Sequence, residues 1–238
     1  YQVFQGNSYR TLMSQLVGAG LTPINTSGIM KARVEAFNSE DKEKRRFLLN
    51  NNFDSRDGVA YNQGNVKIAY DSEQLRNIKP NTELSQGALI LTSEEYASQQ
   101  GPEFSRKELN SFGIDRRLSK KEAKSHPIWQ ALAEDNSLLS EYVDNIFAEI
   151  KRYRENEGMG VYLANEQSQP TMRAWFLRSI DSMSVASGCS SLVSNGARVL
   201  GVSSTGEASR VQNSVPEKTL EERTIEAITQ GKPFEFKG

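Results

Sequence analysis

The sequence predicts an α+β protein: a mixed or antiparallel sheet packed against helices on one side, with a helical N-terminal segment and a C-terminal arm. Three observations lead there. Apolar residues recur at helical spacing in the first fifty positions and again, more strongly, from Leu138 to Tyr153. They alternate with period two from Gly58 to Asp71 and in later segments. Strands and helices also follow one another without the regular βαβ rhythm of a doubly wound sheet.

The elements follow in order. In "NSYRTLMSQLVGAG" Tyr9, Leu12, Met13, Leu16 and Val17 share one helix face, with Asn7 or Ser8 as cap and Gly18 or Gly20 as stop. Ile29 to Phe37 form a second helix. The third, "EDKEKRRFLL", sets acids before bases, as the helix macrodipole favours. "GVAYNQGNVKIAYD" reads as a hairpin and "GALIL" as a strand. Thr92/Glu95, Ser105/Glu108, Ser119/Glu122 and Thr219/Glu222 have capping-box spacing and should each start a helix. The apolar stripe in "NSLLSEYVDNIFAEIKRYREN" marks a central core helix. "MGVYLA", "TMRAWFLRSI" and "ARVLGVS" are strands, and "SVASGCSSLVS" connects the last two, with Cys189 tucked inward. A linker and a last helix, "TLEERTIEAITQ", end the chain. The organisation expected is a helical segment over 1–55, an α+β core over 56–204 and a linker with helix over 205–238.

Composition excludes several functions. The formal net charge of -1 gives no global field toward nucleic acid or anionic membrane. No apolar run approaches the ~20 residues that span a bilayer, and no charged-then-apolar leader opens the chain. With one cysteine and one histidine, the chain cannot build a nitrogen/sulfur zinc site. No phosphate loop or dinucleotide fingerprint is present. The hydrolase elbow fails at Leu192, where its closing glycine belongs. A calcium loop around Asp54 and Asp57 fails too, with Phe53 at the first ligand position and Gly64 at the bidentate one. No cofactor is expected, and Asp54 and Asp57 are the one candidate metal pair.

Three functions stay open. The first, and the one favoured, is a non-catalytic cytoplasmic binding or assembly protein, meeting a protein partner or itself through the C-terminal helix. The second is an anion or small-molecule site on the loop 182–194, using Ser187, Ser190 and Ser191 with Arg173, Arg178 and Arg198 on the flanking strands. Its sharper form is a hydrolase with Cys189 as nucleophile and His126 as base. The third is nucleic-acid binding through a winged-helix-like N-terminal half, with phosphate contacts from Lys42, Lys44, Arg45, Arg46 and Lys67.

Overall fold

The computed structural model describes residues 1–150, 157–165, 169–180, 183–203 and 234–235. Its first element is a strand, which corrects the expected helical N-terminal segment. β1 (Gln2–Asn7) leads to α1 (Tyr9–Gly18), β2 (Leu21–Pro23), α2 (Thr26–Phe37) and α3 (Lys42–Asn50). Both strands pair with β12 (Ala197–Ser203), some 180 positions later in the chain, which local periodicity cannot reveal. Residue 55, the expected end of that segment, lies inside β3 (Phe53–Asn62).

β4 (Asn65–Ala69) closes the expected hairpin, in register from Gly58↔Ala69 to Asn62↔Asn65. Gln63 and Gly64 take the positive φ values that a two-residue hairpin turn requires. Next come α4 (Glu73–Arg76), β5 (Leu84–Ser85), β6 (Ala88–Ile90), α5 (Ser93–Ser98), β7 (Glu103–Ser105), α6 (Arg106–Phe112) and β8 (Arg116–Ser119). After them run α7 (Lys120–Ser125), α8 (Pro127–Ala133) and α9 (Asn136–Ile150). β9 (Glu157–Tyr162), β10 (Thr171–Leu177), β11 (Ser184–Ser187), β12 and β13 (Phe234–Glu235) complete the described residues.

The capping boxes at Thr92/Glu95 and Ser119/Glu122 form in both directions, and Ser105 accepts from the Glu108 amide. The box at Thr219/Glu222, the linker and the last helix lie outside the described residues. Within that stretch only Phe234–Glu235 is described, and it pairs with β1.

One sheet takes the order β13-β1-β12-β3-β10-β11-β9-β8, where about six strands were expected. β12/β3 and β11/β9 are parallel and the other pairs antiparallel. Helices cover both faces, not one. Val3, Val59, Tyr61 and Trp175 point into a core with α2, α3, α8 and α9. Their neighbours Phe4, Ala60 and Ala174 point into a second core with α1, α4 and α5. A strand buried on both faces loses the apolar/polar alternation by which strands are read, so β1 carried little signal. The stripe of α9 is buried as expected, from Leu138 to Ile150.

Candidate functional site

The stretch "SVASGCSSLVS" divides in two. Its first four residues are β11, parallel to β9 and antiparallel to β10. From Gly188 to Gly196 it becomes a surface loop, and Cys189 is exposed there rather than tucked inward.

The loop is pinned from beneath. Arg173, on β10 and only 6% exposed, donates through Nη1 to the carbonyls of Cys189 (3.3 Å) and Ser190 (3.1 Å). Its Nη2 donates to the Gln86 carbonyl at 2.7 Å. No carboxylate among the described residues pairs with it, so its fork is spent on loop backbone. Tyr61 donates its hydroxyl to the Gly188 carbonyl at 3.0 Å and accepts the Ala164 amide. A Cβ at Gly188 would collide with that hydroxyl.

The turn between β5 and β6 supplies the other wall. Gln86 and Gly87 both have positive φ. The Gly87 carbonyl accepts the Leu192 amide at 2.8 Å, and a Cβ at Gly87 would strike the Ser191 side chain. Tyr61, Gln86 and Gly87 escaped the sequence reading. The only local signal was a glycine before "ALIL", and the contacts span about a hundred residues.

The arginines do not converge on the serines. Arg173 is turned to carbonyls, and Arg178 is exposed at the end of β10. Arg198 bonds Gln5 Oε1 (2.6 Å) and the Asn52 carbonyl, across the β12–β1 ladder. Ser187 accepts the Cys189 amide, and Ser190 and Ser191 are half-buried.

Cys189 and His126 are not hydrogen-bonded. His126, buried at the junction of α7 and α8, accepts the Ile128 amide through Nδ1, and its buried Nε2 has no partner. Burial, then the nearby Arg116 charge, push the imidazole down to about 4. Burial around the Cys189 sulfur raises the thiol, against the lowering effect of Ser187. We therefore expect Cys189 to alkylate in the native protein without denaturant, with a pH midpoint above the ordinary thiol range. Intact mass against pH reads this, and a midpoint well below about 8.5 would show an activated thiolate instead.

Asp54 and Asp57 lie in a strand rather than a loop, both buried. Asp54 Oδ2 accepts the Arg198 amide at 3.1 Å; Asp57 accepts the amides of Thr26 (2.7 Å) and Asp71 (3.1 Å). Among the described residues no three metal-ligating side chains gather. Of the basic residues in the winged-helix reading, Arg45 bonds Glu149 at 3.0 Å, and Lys67 sits near Glu103 (3.9 Å) and the Tyr96 ring. Lys42 and Arg46 are exposed on α3 and Lys44 half-buried. The hairpin that would be the wing is built into the sheet: β3 lies between β12 and β10, and β4 pairs with β7.

No family model and no curated protein matches the chain. A solved structure does share its fold, described as "Accommodation of massive sequence variation in Nanoarchaeota by the C-type lectin fold". The match has a TM-score of 0.65 at 16% identity and covers 85% of this chain and 97% of the other. The chain thus resembles a C-type lectin fold, which overturns the α+β class expected. No helix among the described residues is long and apolar enough to cross a membrane.

Proposed function

We propose that the chain is a non-catalytic binding protein whose recognition surface is the loop 188–196 with the adjoining turn at Gln86–Gly87. The observation that carries this reading is the burial of Arg173 beneath three loop carbonyls. A mere connection between strands has no need of a buried cation. A recognition loop gains from one, because a backbone ordered in advance loses less entropy on binding. The outer side of the loop is exposed, including Cys189, Val193, Ser194 and Asn195. The fold likeness supports the same reading. A scaffold described elsewhere as accommodating massive sequence variation can change its surface while its sheet stays put.

The partner is a protein surface, met by polar loop atoms and the exposed apolar Val193. The place of action is the cytosol, where a free exposed thiol stays reduced. Selection of a peptide and small-protein display library against the intact chain tests this. Binders should lose at least about tenfold in affinity against Val193→Asp, a loss of one anchor worth about 1.4 kcal/mol, with the thermal midpoint unchanged. Binders indifferent to Val193→Asp, or no binders, would overturn the proposal.

A further inference from the structure

The sheet is two ladders meeting at a narrow seam. β13, β1, β12 and β2 form a terminal ladder, with five paired positions between β1 and β12 and three between β12 and β2. β3 and β10 begin the central ladder, with six. Between the two, β12 meets β3 through a single couple, Val199 with Asp54. Ile24 adds a bridge, donating to the Leu200 carbonyl and accepting the Arg56 amide. Two further polar ties cross it, the Asp54 carboxyl on the Arg198 amide and the Asn52 carbonyl, just before β3, on the Arg198 guanidinium at 3.5 Å.

We propose that the Asp54 carboxyl is a proton-operated latch on this seam, holding β12 against β3 when protonated and easing its release when ionised. The carboxyl is 5% exposed and sits beside a β3 irregularity, where the register with β10 shifts between Ala174 and Phe176. Opening the seam would return it to water, where a carboxylate ionises freely. Closing therefore takes up a proton across the neutral range, where burial raises the group to about 7.

The groups facing Asp54 do not remove this dependence. On β12 the Arg198 guanidinium lowers the carboxyl, but less than burial raises it. That guanidinium is also held by Gln5 of β1 and lies over the Phe47 ring of α3, 5.8 Å from its centroid. On α1 the Tyr9 hydroxyl donates to the Ser55 carbonyl at 3.0 Å. Burial raises that phenol, so it stays neutral. On β3 itself Asp57 is also raised by burial, and it is fixed by amides of Thr26 and Asp71. Arg56, next to Asp57, is turned to Asp71 at 3.2 Å.

Amide hydrogen exchange on the intact chain between about pH 5 and pH 8, corrected for intrinsic rates, tests the latch. Protection of β12 amides should rise about tenfold per pH unit on acidification below 7, as one linked proton requires, and level off above it. Asp54→Asn should abolish that dependence. β10 amides, which exchange by global unfolding where His126 opposes the carboxyls, should show a clearly smaller slope. Equal slopes in β10 and β12, a flat β12 in the natural chain, or an undiminished slope in Asp54→Asn would overturn the latch. Should Asp54→Asn fail to fold, the carboxyl carbon of Asp54 and the Arg198 amide are followed by NMR in the natural chain. They should titrate together near neutrality, and an Arg198 amide indifferent to pH would sink the proposal.

Discussion

Arg33→Ala is expected to lower the free energy of unfolding by about 4 kcal/mol, the upper range for breaking a buried hydrogen-bond network. Arg33 is fully buried on α2, and no carboxylate pairs with it among the described residues. Instead its Nε donates to the Leu48 carbonyl (3.1 Å) and Nη1 to the Tyr142 hydroxyl (3.0 Å). Nη2 donates to the carbonyls of Asn51 (2.9 Å) and Leu177 (3.3 Å). One guanidinium thus ties α2 to the end of α3, to α9 and to the end of β10. Tyr142 passes the network on to Ser184 of β11 at 2.9 Å. Alanine leaves the buried Leu48 and Leu177 carbonyls without this donor, each a desolvation cost of about 1–3 kcal/mol that relaxation only partly relieves, while Tyr142 keeps Ser184. Lysine cannot span them with a single ammonium, so Arg33→Lys should still lose roughly 2 kcal/mol. Urea unfolding of the three proteins reads both losses. An Arg33→Met chain as stable as the natural one would show that these carbonyls have no need of the donor.

Arg33 also shows where sequence reading stops. On "GIMKARVEAF" an arginine in a helix reads as solvated, because its acceptors lie on α3, α9 and β10 and nothing local announces them. The same limit hid β1 and β2, short strands specified by a partner far along the chain. Elements set by neighbours within a few residues were legible. The two complete capping boxes, the β3–β4 hairpin and the buried stripe of α9 all came from local chemistry. At the candidate site the serine-rich loop stood out by composition, and Arg173 was named. Its use was not legible, since a strand arginine offered to an anion and one spent on carbonyls look alike until the loop is folded over it. His126, before Pro127, is the N-cap of α8 rather than a base beside Cys189.

Stability should vary less with pH between about 4 and 6.5 than the buried carboxyls alone would make it, because the buried imidazole of His126 works against them there. Asp54 is raised from 3.8 to about 7 by burial. It therefore contributes stability that is whole below its unfolded value and lost as pH rises through 7, roughly 4 kcal/mol in all at 1.36 kcal/mol per unit. Asp57, also raised by burial, acts in the same sense. His126 is lowered from 6.5 to about 4. Its contribution is whole above the unfolded value and lost as pH falls through 4, roughly 3 kcal/mol. Across the shared window the slopes have opposite signs and similar size. Asp54→Asn should uncover the histidine, so that stability rises from pH 4 to 6.5 by up to about 1 kcal/mol per pH unit, less what Asp57 still takes away. His126→Asn keeps an acceptor for the Ile128 amide and should uncover the aspartate, so that stability falls by a similar amount per unit. The double variant should keep only the slope that Asp57 contributes, whatever each substitution costs in absolute terms, since only slopes are compared. Urea midpoints across that pH range measure all four proteins. Two single variants with slopes of the same sign would mean that the buried carboxyl and imidazole do not oppose each other.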